Sequence, residues 1–425
     1  MVHAWILAIG PNSAPCGPVQ SGIAMFSSRF HWDPRPNRLT VALAARRAAG
    51  APILDLTESN PTHAGLHYPG EILRAFDDAA LLAYEPAPAG TPAARQAVSH
   101  YYAERGHAVP PERILLTAST SEAYAYLFKL LTNPGDEVLV PRPSYPLFEF
   151  LADMESVAVR TYPLEYHGGW NIALDAVERA LTARTRAIVL VNPNNPTGSY
   201  VKRGELRALT AMCAPRGVAL ISDEVFADYA LAEDADRVAT LVTPLAGVEE
   251  CLAFSMSGLS KVAGLPQMKL GWMVLSGPAA LRAEAWAKLE WIADTYLSVG
   301  TPVQCAAARL LAAGDDVQRQ ICRRTAENLG FARGALAGSP ANILAVEGGW
   351  YITLQVPRMR SEEEWTLALL ERSGVLVQPG FFYDFEAEAY LVISLLTAPE
   401  VFRDGVTRLV ELLTAAAKEE GTSRR

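Results

Sequence analysis

Paired cysteines, zinc-spaced histidines, a surplus of basic residues and a membrane-length apolar run are all missing from this chain. The five cysteines (Cys16, Cys213, Cys251, Cys305 and Cys322) are scattered singly. That pattern points to reduced thiols in a cytoplasmic protein and away from a disulfide framework. All seven histidines lie at or before His167, and none is paired at zinc-ligand spacing, so no metal site is expected. With 46 acidic residues against 37 basic ones the net charge is -9. Such a surface repels phosphate backbones and anionic lipid, so neither nucleic acid nor membrane is expected as a partner. The apolar stretch at residues 4–9 is too short to span a bilayer and lacks the basic start of a signal peptide. Pro11, Pro15 and Pro18 follow it, and residues 1–25 are read as an extension outside the fold: poorly ordered, or ahead of a true start at Met25.

What the chain does have is length and alternation. Its 425 residues suit two domains with ample core. Short apolar, β-branched runs at 114–117, 137–141, 187–192, 219–222, 252–255 and 272–276 predict strands. Stretches of helical period at 121–131, 203–215 and 278–292 lie between or after them. Such alternation predicts an α/β fold, a mainly parallel sheet covered on both faces. After about residue 301 the pattern changes to a helix at 302–313, a long helix from about Val317, and strands near 351–356, 376–378 and 391–395. Helices near 362–372 and 399–417 complete a smaller α+β unit. The expected division is an N-terminal arm (26–60) joining the small domain, a large domain (61–299) and a small C-terminal domain (300–425).

In open α/β sheets ligands sit beyond the C-terminal strand ends, and here those ends carry chemistry. Ser119-Thr120-Ser121 open a helix, which makes an anion site or merely an N-cap. Asn192-Pro193-Asn194-Asn195-Pro196-Thr197-Gly198 forms a rigid turn rich in amides. Asp223 follows the 219–222 strand, as a helix cap, a metal ligand or a partner for a cationic ring. Ser257-Gly258-Leu259-Ser260-Lys261 places a lysine in apolar company, which would lower its pKa and make it a better nucleophile; the bland alternative is a surface lysine.

Read in order, these segments resemble the fold-type I, class I/II aminotransferases of the aspartate and alanine/tyrosine group, from about Leu54 to Leu413. The resemblance implies a seven-stranded large-domain sheet and pyridoxal 5′-phosphate (PLP) as cofactor. Lys261 would carry it as a Schiff base and shuttle the substrate proton. Asp223 would pair with the pyridine nitrogen, Asn195 would donate to the ring hydroxyl oxygen, and Tyr145 would lie on the ring face. Ser119, Thr120, Ser121, Ser257 and Lys269 would ring the phosphate. Tyr84 resembles a tyrosine that reaches the partner subunit's phosphate, which implies a homodimer with shared active sites. Asn60, Asp294 and Val392 fall at substrate-reading places. An amino donor and a keto-acid acceptor would be the small-molecule partners.

Three departures stand against that likeness. Lys269 replaces an arginine on the phosphate and keeps the charge without the bidentate fork. Phe226 replaces a tyrosine whose hydroxyl reaches the ring oxygen. Val392 replaces the arginine that clamps the substrate α-carboxylate. Arg358 or Arg360 could relocate that clamp, the substrate could be an amine or be held by its other end, or the chemistry could be another PLP reaction. A C–S β-lyase, a decarboxylase, a racemase and a non-catalytic PLP-binding protein are the alternatives to transamination.

Overall fold

The computed structural model describes residues 25–30, 32, 35–231, 241 and 244–423, so the expectations for residues 1–24, including the Cys16 thiol, lie outside the described residues. In chain order the strands are β1 (Leu54–Asp55), β2 (Ile114–Thr117), β3 (Glu137–Arg142), β4 (Ala158–Tyr166), β5 (Trp170–Ile172), β6 (Thr185–Val191) and β7 (Ala219–Asp223). Then come β8 (Ala253–Gly258), β9 (Gly271–Ser276), β10 (Asn342–Ile343), β11 (Tyr351–Gln355), β12 (Val375–Leu376), β13 (Gln378–Pro379) and β14 (Tyr390–Ser394).

The large sheet runs in the order β2-β9-β8-β7-β6-β3-β4-β5. Strands β8, β7, β6, β3 and β4 are parallel neighbours, while β9 runs antiparallel to β2 and β8. The sheet therefore has eight strands where seven were expected: short β5 folds back antiparallel on the far end of β4. Both strands escaped the sequence reading because β4 is an exposed, polar strand, unlike the wholly buried β2, β8 and β9. Central strands read as continuous apolar runs because helices cover both of their faces. Consequently Thr117, Arg142, Val191, Asp223 and Gly258 all end at one edge of the sheet.

A second sheet, β10-β11-β14-β13, is antiparallel, and β1 pairs in parallel with β12 beside it. Strand alternation gives this small sheet two faces. Ile352, Leu354, Leu391 and Ile393 pack with Trp365, Phe402 and Val406, whereas Tyr351 and Val392 share a core with Phe226, Leu259 and Trp350. The second face thus looks toward the strand-end edge of the large sheet.

One helix, Thr301–Leu336, replaces the two expected around Gly314-Asp315-Asp316. Gly314 is not a break. A Cβ there would stand 2.3 Å from the Ala263 Cβ and 2.9 Å from its Cα, so glycine lets the helix pass against the segment just beyond Lys261. Among the described residues no helix is long and apolar enough to cross a membrane, and no group of three or more potential metal ligands occurs.

Candidate active site

Lys261 lies on a one-turn helix, Leu259–Val262, that starts where β8 ends. The turn is pinned on both sides: the Leu259 N–H donates to the Leu270 carbonyl at 2.9 Å, and the Lys261 carbonyl accepts the Tyr229 hydroxyl. The lysine side chain emerges between two rings, with Nζ 5.0 Å from the centre of Trp350 and 5.7 Å from that of Phe226. Those rings meet edge-on at 5.1 Å.

Asp223 ends β7 between Val191 of β6 and Met256 of β8. Its carboxylate accepts from the Tyr124 hydroxyl and the Val225 N–H, each at 3.3 Å. Burial pushes this carboxyl up from 3.8 to about 6, held back by those two hydrogen bonds and by Lys261. Burial likewise lowers Lys261 from 10.5 to about 8, with Asp223 pulling the other way. Removal from water penalises both charged forms, and mutual attraction restores only part of the loss.

The asparagine turn divides its labour. Asn192 accepts the Val201 N–H at 2.9 Å, and its own N–H reaches the Asp223 carbonyl at 2.8 Å. Asn194 accepts the Thr197 hydroxyl at 2.9 Å and donates to Ser144 at 3.4 Å. Asn195 is buried, yet its Oδ1 has no hydrogen-bond partner. Two amides hold the turn and the third is left for a ligand, which a buried amide requires.

Tyr145 is partly buried, and burial raises its phenol well above the usual value, with Tyr351 and Asp223 adding to the rise. Ser119 is the N-cap of the helix Thr120–Leu131, accepting the Glu122 N–H at 3.2 Å. Helix geometry leaves the Thr120 and Ser121 N–H groups without intrahelical acceptors, beside the positive end of the dipole. Lys269, exposed and left-handed at φ 54°, comes two residues before Gly271, which pairs with both Thr117 and Gly258. The lysine turn, the Ser119 turn and Lys269 are therefore contiguous.

Other expected residues lie apart. Met256, not Ser257, is in register with Asp223, and Ser257 instead lines a cavity of about 120 Å³ with Tyr102, Arg105, Glu224 and Asp228. Tyr84 is 73% exposed and borders a groove with Tyr126, Leu297 and Ser298. Asp294 is exposed on the helix Ala279–Tyr296. Asn60 accepts the Thr62 hydroxyl and N–H in a local turn. Val392 is wholly buried between Thr353 and Gln378. Arg358 is exposed beyond the far end of β11, and Arg360 lies 4.9 Å over the Trp365 ring. Trp365 belongs to the core on the other face of the small sheet, so neither arginine stands beside Val392. Trp350, Tyr124, Tyr351 and Tyr383 went unnoticed in the sequence. Tyr124 carried a signal, one helical turn beyond Ser121; Trp350 follows Gly348-Gly349 and showed none.

Residues 51–408 match the family described as aminotransferase class I and II. The chain belongs to that family. It is 30% identical over 328 residues to the arginine–pyruvate transaminase of Pseudomonas aeruginosa, a match covering 75% of this chain and 80% of that protein. It is 31% identical over 268 residues to the glutamate–pyruvate aminotransferase of Escherichia coli, covering 60% of this chain and 63%, under two thirds, of that relative. Among solved structures, the alanine aminotransferase from Pyrococcus furiosus superimposes with a TM-score of 0.80 at 23% identity, covering 89% of this chain and 96% of that one. Members of this family move an amino group between an amino acid and a keto acid, and generally use PLP.

The site fits that cofactor. A buried amide oxygen without a partner, a half-buried carboxylate whose charge acts on a half-buried lysine, and a helix start beside an exposed cation suit a polar ring with a phosphate tail.

Proposed function

We propose that this aminotransferase holds PLP on Lys261 and moves an amino group between an amino acid or amine and a keto acid. The observation that carries the reading is Lys261 itself, half-buried beside the Trp350 and Phe226 rings with Asp223 as its charged neighbour. With a pKa near 8, a usable fraction of the amine is unprotonated at neutral pH, as a nucleophile and a proton carrier require.

When bound, the cofactor supplies an electron sink for the charge left on the substrate carbon. The residues around it bind and orient. Asp223, ionised above about pH 6, would pair with the ring nitrogen and favour its protonated form. Asn195 would donate to the ring hydroxyl oxygen, and Phe226 brings no second donor there. Tyr145 would lie on the ring face, a contact worth about 0.5–1.5 kcal/mol. Thr120 and Ser121 would offer backbone N–H groups to the phosphate, Ser119 holds their helix start in place, and Lys269 would add charge. Lys261 Nζ takes the proton from the substrate Cα and gives it back on the other side of the exchange.

A homodimer with shared sites is part of this reading. Leu73, Leu82, Tyr84, Trp291 and Tyr296 are exposed, an apolar set that a second copy would cover, with Tyr84 reaching the partner's phosphate. The arm (26–60), large domain (61–299) and small domain (300–425) are the proposed units, and Asn60 and Asp294 the proposed outer contacts of the substrate.

Borohydride reduction of the PLP-loaded enzyme followed by peptide mapping tests the assignment. The expected result is label on the peptide carrying Lys261 and no turnover by Lys261→Ala; label on another lysine overturns it. Stoichiometric release of a carbonyl product from an amino donor in the absence of acceptor tests the reaction class.

A further inference from the structure

Val262, Ala263 and Gly264, the buried residues that follow Lys261, lie against the middle of the long helix Thr301–Leu336. Gly314 lets the helix pass Ala263, a Cβ on Gly264 would stand 2.7 Å from the Val317 Cγ1, and Gln318 bonds to Val262. Positions 314, 317 and 318 share one helical face, so a single stripe backs the turn. Gln318 supplies directional contacts. Its Nε2 donates to the Val262 carbonyl at 2.8 Å and to Asp228 Oδ2 at 2.7 Å, and its Oε1 accepts from an Arg105 terminal nitrogen at 3.4 Å. Both ends of the amide, donor and acceptor, are thereby engaged.

Asp228 follows Asp223 by five residues and is fixed independently of the lysine turn. Besides Gln318, its carboxylate takes the Tyr101 hydroxyl at 3.0 Å and the Arg105 Nε at 2.9 Å, from the last turn and the cap of the helix Pro92–Glu104. The Arg105 Cζ lies 3.8 Å from the centre of the Tyr101 ring. Tyr229, the next residue, gives its hydroxyl to the Lys261 carbonyl. Two successive carbonyls, those of Lys261 and Val262, are therefore tied to two successive residues: to Tyr229 directly, and to Asp228 through Gln318. The same segment carries Asp223 and Phe226, the charge and one of the rings beside the amine. A one-turn helix has too few bonds of its own to hold a shape, so these outside ties decide where its side chain stands.

We infer that Gln318 is a positioning residue for Lys261, joining the Val262 carbonyl to Asp228 and so holding the amine beside Phe226 and Asp223. The role of that amine rests on the PLP reading above. With methionine at position 318 the Val262 carbonyl loses the amide that pairs with it, while Asp228 keeps Tyr101 and Arg105. A buried carbonyl left unpaired is costly, so it turns toward water and the lysine turn moves with it. Water then reaches the amine, and the burial that holds its pKa at about 8 is partly undone. Asp223, which acts on the amine from β7, already favours the charged form, so both effects point upward, toward 10.5.

The test follows acetylation of Lys261 by acetic anhydride in the cofactor-free, full-length protein, by peptide mass, from about pH 6 to about pH 11. The native inflection is expected at about pH 8. That of Gln318→Met should lie at least about half a unit higher, which makes loading with PLP at about pH 7 about threefold slower. Gln318→Lys, whose ammonium donates to both Val262 and Asp228, should restore both values. Gln320→Met is the matched loss, because Gln320 accepts the His67 N–H at 2.9 Å and donates to the His67 carbonyl at 2.8 Å and to Asp316 at 3.0 Å. It should lower the urea midpoint as much as Gln318→Met does and leave the inflection where it was. An unmoved inflection in Gln318→Met, or an equal shift in Gln320→Met, overturns the inference. Borohydride label on a lysine other than Lys261 removes the PLP reading instead, and the acetylation inflections still decide the position.

Discussion

Replacing Lys261 by methionine should make the cofactor-free protein more stable near neutral pH, although it destroys the proposed catalytic group. Burial among Trp350 and Phe226 lowers the amine from 10.5 to about 8, which corresponds to about 3 kcal/mol of penalty on the folded state when the lysine is charged. The folded pKa lies below the unfolded one, so between those values the unfolded chain holds more protons and stability climbs with pH. The penalty is whole below about pH 8 and gone above about pH 10.5. Methionine keeps the length of the stem and adds sulfur–aromatic contact with the same rings. Part of the gain is offset, because Asp223 loses the cation that helps hold its carboxyl down. The net expectation is a gain of about 1–3 kcal/mol at about pH 7, fading as the pH approaches about 10. Urea midpoints measured across that range, at one protein concentration so that association does not enter, would show it. A loss of stability at about pH 7, or a gain that does not change with pH, would refute the electrostatic account of this lysine.

Two further outcomes follow from packing and burial elsewhere. Gly314→Ala must push a methyl into Ala263, which should cost about 1–3 kcal/mol and loosen PLP retention on gel filtration; an unchanged midpoint with full retention would remove the argument. Glu362 accepts the Phe381 and Tyr390 N–H groups at 2.6 and 2.7 Å, and burial raises its carboxyl from 4.5 to about 7. The raised folded pKa means its charge burdens the fold fully above about pH 7 and not below about 4.5. Glu362→Gln surrenders one acceptor at every pH but escapes that burden, so its deficit in urea midpoint should shrink by up to about 3 kcal/mol from about pH 5 to about pH 8; a constant deficit would count against it.

The elements that position the site were largely legible, and those that clothe it were not. Strands β2, β3, β6, β7, β8 and β9 are buried runs bounded by turn residues, so their pattern survives in one dimension. Strand β4 is exposed or half-buried along its length except at Tyr162 and Leu164, and β5 is three residues long; neither leaves a period to count. The turn 192–198 was readable as a motif, yet which of its three amides stays free depends on Thr197, Ser144 and Val201 reaching the other two. Ser257 was placed on the phosphate by the family resemblance; the pleat of β8 puts Met256 in register with Asp223, and Ser257 lines the cavity beside Glu224. Trp350 is 89 positions from Lys261, and no local pattern reports a contact made by the small sheet closing over the large one.

That closure depends on a glycine inside the asparagine turn. Gly198 adopts φ 70°, and a Cβ there would stand 2.4 Å from the Val346 Cγ2 and 2.5 Å from the Gly348 carbonyl. Its own carbonyl accepts the Glu347 and Gly348 N–H groups at 3.1 and 2.9 Å, and the Gly349 N–H continues to the Tyr229 carbonyl at 2.8 Å. The next residue is Trp350, whose ring faces Lys261, while the Tyr229 hydroxyl holds the lysine's carbonyl from below. The turn that leaves Asn195 free for a ligand is thus also the post on which the segment leading to Trp350 is fixed. A side chain at position 198 would displace that segment and let water reach the lysine, so the pKa of Lys261 is set in part by a residue that never touches it.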